Sequence, residues 1–153
     1  MKTFWGYVRP DGSAGVRNHV AVLPTVSCAN GVAAAVARQV PDIVSLYHAV
    51  GCGRGGLDHE VHSATLRNLC RSPNLAGVLI VGLGCEVQNA GELEEEAAKA
   101  GRSVRRVMIQ QEGGSRRAAA KGIELARELL TEVRSIKRVP LPMSSLTIGL
   151  ECG

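Results

Sequence analysis

Three of the five cysteines in this 153-residue chain stand beside glycine or glutamate at the end of an apolar run. They are Cys52 in Gly51-Cys52-Gly53, Cys85 in Gly82-Leu-Gly-Cys85-Glu86, and Cys152 in Glu151-Cys152-Gly153. Cys28 closes a fourth such stretch, Leu23-Pro-Thr-Val-Ser-Cys28. Thiolates are soft ligands suited to iron, iron–sulfur clusters or zinc, and an exposed thiol at a turn is also a nucleophile. The plain alternative is packing, since free cysteine is among the most buried residue types. The spacings of 24, 33 and 67 residues match no zinc-ribbon pattern, and no CxxC occurs, which disfavours dithiol redox chemistry. His48 precedes Gly51-Cys52 and is a candidate metal ligand or general base, with a capped loop histidine as the structural alternative. Glu86 places a carboxylate next to Cys85, and Glu112 precedes Gly113-Gly114-Ser115. His59 and His62 could share one helical face as ligands, although a solvated helix start explains them more simply; His19, inside an apolar run, reads as structural.

These groups need a scaffold that brings distant positions together. Val78-Leu-Ile-Val-Gly82 is apolar without alternation, as in a strand covered on both faces, and Gly82 and Gly84 let the backbone leave the sheet. Asn18 to Pro24, Asp42 to His48 and Val104 to Ile109 are further strands, with a fifth at Leu146-Thr-Ile-Gly-Leu150. Helices are expected to about Gln39 with Ser27 as N-cap, from Asp58 to Cys70, from Gln88 to Ala100, and to about Ser135. Residues 1–17, with Pro10-Asp-Gly12, read as an edge β element. Pro140 and Pro142 bracket a loop.

Strands alternating with helices predict a single three-layer α/β domain over 1–153, Rossmann- or flavodoxin-like, with a mainly parallel five-stranded sheet in order 2-1-3-4-5. That fold gathers Cys28, Cys52, Cys85 and Cys152 at the carboxyl edge, where open α/β sheets bind ligands. Cys70 falls inside a helix and reads as inert packing.

Composition narrows the function. Net charge is +4, aromatics make up 3% of residues, and the arginines scatter near loops. A small acidic substrate fits better than nucleic acid, which wants a basic face and stacking platforms. No apolar run approaches the length of a membrane span and no leader pattern opens the chain, so a cytoplasmic location is expected. Gly51-Cys-Gly53-Arg-Gly-Gly56 satisfies G-x-G-x-x-G, but after the second strand rather than the first and without the acidic ribose partner. Gly113 and Gly114, ahead of a long helix, could hold an anion through free amides, or serve only as a flexible helix entry.

Six motifs in order then carry a resemblance: Gly6-Tyr-Val-Arg-Pro-Asp-Gly12, Gly15-Val-Arg17-Asn18, Leu23 to Cys28, His48 with Gly51-Cys52-Gly53, Gly82 to Glu86, and Gly149-Leu-Glu-Cys-Gly153. Together they resemble the altronate and galactarate dehydratase family, which includes the sulfolactate sulfo-lyase large subunit. The chain departs from the family pattern at Val16 and His19, positions often threonine and tyrosine in relatives.

The resemblance implies a hydro-lyase that removes water, or sulfite, from a hydroxy acid with a divalent metal, iron or manganese. It also implies a longer protein, of which this chain is the amino-terminal part of the main catalytic region, with a small SAF-type domain or subunit as partner. A homo-oligomer is a further expectation. Eliminating a β-hydroxyl needs a base and an acid, for which His48 and Glu86 come first and Glu112 next. Arg17, Asn18 and Arg54, with Gly113 and Gly114, are expected to hold substrate carboxylates, and Cys28, Cys52, Cys85 and Cys152 to hold the metal. The competing class is a non-catalytic α/β module binding a small anion at Gly113-Gly114, or a nucleotide at Gly51 to Gly56.

Overall fold

The computed structural model describes residues 2–53 and 55–152. Its centre is a parallel sheet whose middle strands are the two most apolar runs of the chain, β3 (His19–Pro24) and β5 (Leu75–Gly82). Short β4 (Ile43–Ser45) flanks β3 and β6 (Ser103–Met108) flanks β5, giving the order β4-β3-β5-β6. The first four strands of the expected order are thus in place.

The helices α1 (Asn30–Gln39), α2 (Gly56–Cys70), α3 (Ala90–Lys99) and α4 (Ser115–Arg134) divide between the two faces. Side chains alternate along each strand, so Val20, Val22, Leu79 and Val81 pack with Val36 and Leu129 of α1 and α4. Ala21, Leu23, Val78 and Ile80 point the other way, onto Leu66 and Cys70 of α2 and Leu93 and Ala97 of α3. Burying both faces is why these strands carry no polar alternation.

At the ends of the chain one expectation holds and two are corrected. The expected amino-terminal β element is present, in a sheet of its own. Its strands are β1 (Thr3–Val8) and β2 (Ala14–Gly15), which join β7 (Val139–Pro142) in a separate antiparallel sheet of order β2-β1-β7. The prolines read as a loop sit in that outer strand, where Trp5 pairs with Pro140 and Thr3 with Pro142. Proline is tolerated there because an outer strand can point its missing N–H away from the ladder. The expected fifth strand, Leu146 to Leu150, does not form, and Ile148 and Leu150 are exposed. A β-prone run becomes a strand only beside a partner, and β7 has already carried the chain to the other sheet. The main sheet among the described residues therefore has four strands.

Arg9 fastens the small sheet to the large one. Its buried guanidinium donates to the Pro73 carbonyl at 2.8 Å, to Asn18 Oδ1 at 2.8 Å and to the Arg17 carbonyl at 3.0 Å. Asn74 Oδ1 accepts from the amides of Val16 and Arg17, and a Cβ on Gly15 would lie 2.0 Å from the Pro73 carbonyl oxygen. The Gly15-Val-Arg17-Asn18 motif thus grips the turn between α2 and β5. Ser27 is also not the N-cap of α1, because a 3-10 turn, Ser27–Ala29, intervenes and Ala29 takes that position. Among the described residues no helix is long and apolar enough to cross a membrane.

Candidate active site

The chain leaves every strand of the parallel sheet at the same edge, and the connecting loops there interlock around Thr25. This residue follows β3 and is fully buried. Its amide donates to the Val81 carbonyl of β5 at 3.0 Å, and its hydroxyl donates to Glu86 Oε1 at 2.5 Å. Its carbonyl accepts from His62 Nε2 of α2 at 3.3 Å. One residue therefore ties β5, the loop after β5, and α2.

Glu86 closes its own loop. Oε1 also accepts from the Leu83 amide at 3.0 Å, and Oε2 from the Gly84 amide at 2.6 Å. Burial works to raise the Glu86 carboxyl, but the hydrogen bonds from Thr25 and from the amides of Gly84, Glu86 and Leu83 outweigh it and hold the group below the usual carboxylate range. Gly84 has φ +121°, and a Cβ there would meet Gln110 Oε1 at 2.6 Å. Only glycine suits that backbone and that space. Cys85, held between Gly84 and Glu86, is exposed.

The loop after β4 brings His48 to the same edge. Its Nε2 is 2.7 Å from the Pro24 carbonyl and its Nδ1 lies 3.4 Å from the Val50 amide, partners that assign the neutral Nε2–H tautomer. The His48 and His62 rings meet edge to face with centroids 5.1 Å apart. Two histidines thus donate to two successive carbonyls at the end of β3. Gly51 permits this approach, since a Cβ there would come within 2.9 Å of the Thr25 carbonyl oxygen and 3.1 Å of His62 Nε2. Sequence reading set His62 aside as solvated and passed over Thr25; the pairing of His48 with His62, 14 positions apart, has no signal in spacing.

Cys28, Cys52 and Cys85 all lie exposed on this edge, in the loops after β3, β4 and β5. Cys152 does not join them by the expected route, because it follows no strand of the parallel sheet. Cys70 is buried in α2, and burial, with the nearby Glu96 charge, pushes its thiol up to about 12. Glu112, Gly113 and Gly114 form the turn after β6 at the same edge. Their amides donate to the carbonyls of Met108, Gln110 and Ile109, so the expected free-amide cradle at Gly113 and Gly114 is already satisfied within the turn.

Arg17 and Asn18 do not join this edge. They stand at the amino end of β3, about 20 Å of strand away from Thr25. Asn18 is committed to structure, donating to the Val133 carbonyl at 2.8 Å and accepting from Arg9. Arg54 lies outside the described residues.

Two depressions open at the carboxyl edge. A cavity of about 420 Å³ between the loop after β4 and α2 is lined mainly by Leu46, Tyr47, Leu57, Val61, Leu66 and Leu69, with both histidines at its side. Its walls are largely apolar. A polar cleft of about 340 Å³ lies between the loop after β5 and β6, lined by Gly84, Glu86, Gln88, Asn89 and Arg106 among others. Arg106 brings a cation there, with its Nε 3.0 Å from Glu94.

Among the described residues no group of three or more His, Cys, Asp or Glu could hold a metal ion. The donors explain why: Glu86 accepts on both oxygens, and both histidine Nε2 atoms face carbonyls. The residues present do not fit a complete metal site.

Residues 6–134 match the family described as D-galactarate dehydratase/Altronate hydrolase, second domain. The chain is 36% identical over 162 residues to altronate dehydratase of Bacillus subtilis (strain 168), a match covering 99% of this chain and 32% of that protein. It is 36% identical over 157 residues to altronate dehydratase of Escherichia coli (strain K12), covering 96% and 31%. It is 32% identical over 152 residues to (2R)-sulfolactate sulfo-lyase subunit beta of Chromohalobacter salexigens, covering 99% and 38%. The chain thus spans about a third of the length of these relatives.

Proposed function

The chain belongs to the D-galactarate dehydratase/altronate hydrolase family, and on that premise we propose that it forms part of the catalytic region of a hydro-lyase acting on a sugar acid of the altronate or galactarate kind. The observation that carries the reading is the near-complete coverage of this chain by relatives named as dehydratases. The polar edge around Thr25 supports it by supplying groups of the right chemistry where α/β sheets bind ligands.

The reaction removes a proton from the carbon next to the carboxylate and expels hydroxide from the following carbon as water. The resulting enol rearranges to a 2-keto-3-deoxy acid. His48 is our candidate base. Its Nε2–H is spent on the Pro24 carbonyl, so the proton would be taken at Nδ1, whose contact with the Val50 amide is long. Glu86 is an ionised clamp more than a free acid, which leaves Glu112, in the turn after β6, as the alternative proton donor. Arg106 is our candidate for the substrate carboxylate, because guanidinium matches that planar fork and lines the polar cleft with Glu86.

A divalent iron or manganese ion stays a proposal for a longer polypeptide. A single thiol of this edge would join ligands supplied from elsewhere, because no three donors meet here among the described residues. The apolar groove beside α2, where Leu57 and Val61 are exposed, supports packing against a further domain; we propose the small SAF-type domain for it. A second reading within the family, with sulfite as the leaving group, is supported by the sulfo-lyase relative.

The test is to put residues 1–153 in place of the matched third of the Bacillus subtilis altronate dehydratase and assay keto-acid formation from altronate and galactarate, and sulfite release from sulfolactate. Dehydration is expected, falling about 100-fold or more in His48→Gln, the usual contribution of a positioned base. Release of sulfite alone would favour the second reading. Binding of an acid without turnover by a folded chimera would favour a non-catalytic module.

A further inference from the structure

Outside the groups assigned to chemistry, the carboxyl edge holds one buried residue whose backbone N–H, backbone carbonyl and side-chain hydroxyl each engage a different element. Thr25 extends the β3–β5 ladder through its amide, holds His62 through its carbonyl, and donates its hydroxyl to Glu86. The Glu86 carboxylate distributes that last contact to the amides of Leu83 and Gly84. Three donors from two segments therefore meet at a single carboxylate, and the loop they close carries the exposed Cys85.

We infer that Thr25 is a positioning residue of the candidate site: through Glu86 its hydroxyl fixes the Leu83–Glu86 loop that presents Cys85, and its carbonyl fixes the His62 ring against His48. A threonine suits the task better than a longer polar residue. Its β-branch restricts χ1, so the hydroxyl is aimed before the loop closes, and its methyl fills a fully buried place. The carboxylate would otherwise need water to complete Oε1, and the loop would be held by its own amides alone. Hydrogen bonds to a charged group are stronger than neutral ones, enough to set how often such a loop opens. The role of Thr25 in turnover rests on the dehydratase reading above, whereas its control of the loop does not.

The experiment compares Thr25→Val, which keeps shape and loses the hydroxyl, with Thr25→Ser, which keeps the hydroxyl, in the 153-residue chain. Amide hydrogen exchange is followed by NMR. In Thr25→Val the amides of Leu83 and Gly84 should exchange about tenfold faster, matching the loss of one charge-assisted bond, while the ladder amides of Val22 and Leu79 keep their protection. Thr25→Ser should return Leu83 and Gly84 most of the way to the parent rate. Unchanged Leu83 and Gly84 exchange with the ladder intact, or equal acceleration in both variants, overturns the inference.

Should Thr25→Val lose ladder protection as a whole, Glu86→Asp replaces it. The side chain shortened by one methylene cannot reach Thr25 and both amides together, and the same two amides must then accelerate or the inference fails. A second arm uses the chimera with altronate. Thr25→Val should lower kcat with little change in KM, and Thr25→Ser should rescue it. Absence of turnover in the parent chimera would count against the dehydratase reading and leave the exchange result to decide the loop.

Discussion

Both oxygens of Glu86 accept hydrogen bonds, so replacing it tests geometry before it tests proton transfer. In Glu86→Gln the amide oxygen can still face Thr25 and Leu83, but the NH2 group must face the Gly84 N–H, donor against donor. The variant should lose about 1 to 3 kcal/mol in urea unfolding, the cost of breaking a charged hydrogen-bond set. Unchanged stability would mean that the carboxylate does not clamp the loop. Cys70 makes a different prediction. Its folded thiol titrates near 12 against an ordinary 9.0, so the folded state keeps its proton where the unfolded chain loses it. The stability it contributes is complete below pH 9 and is lost as pH rises toward 12. Cys70→Ala should therefore cost about 1 to 2 kcal/mol at pH 7 as a small cavity, and should show a shallower loss of stability between pH 9 and 12 than the parent. At this scale the sequence announced which residues could react, since Gly82-Leu-Gly-Cys85-Glu86 reads as a strand-tip turn. It was silent on what they touch, because the bond from Thr25 to Glu86 joins positions 61 apart and no local pattern encodes it.

Among the elements, β3 and β5 were legible because a strand buried on both faces must be apolar throughout, and Val20 to Leu23 and Val78 to Val81 are. The small sheet was legible only at its amino-terminal strands, and β7 was not. Trp5 and Val8 are exposed, and Pro140 and Pro142 argue against a strand unless its outer side is known to be open. That Arg17 and Asn18 stand at the amino end was illegible for a related reason: polar residues next to a strand look the same in sequence at either end of it. Their structural office gives an element-scale prediction. Arg9→Ala would strip three acceptors, the carbonyls of Pro73 and Arg17 and the Asn18 side chain, of a buried donor. The loss should be about 2 to 4 kcal/mol, within the range for breaking a buried polar network, and thermal unfolding will measure it. Substrate turnover in a folded Arg9→Ala chimera should be little changed, since the substitution sits at the far end of β3. A large fall in kcat with stability intact would return the amino edge to the site.

For the molecule as a whole, the ends of the parallel sheet divide the work. The amino end is occupied by the Arg9 fastening and the turn at Pro73-Asn74. The carboxyl end gathers the thiols of Cys28, Cys52 and Cys85, the ring pair His48 and His62, and the Glu86 clamp, with a polar cleft beside them. This division followed from reading alternating strands and helices, even though the fifth strand and the position of Cys152 did not. It also yields the most direct test of the account, an NMR titration of the uniformly labelled 153-residue chain with altronate and galactarate. Amide shifts should be confined to the loops after β3, β4, β5 and β6, residues 25–29, 46–53, 83–89 and 109–114, with those of Leu83 to Glu86 and the neighbours of Arg106 among the largest. Shifts centred on Arg17, Asn18 and Asn74 instead, with the carboxyl-edge loops unmoved, would contradict it.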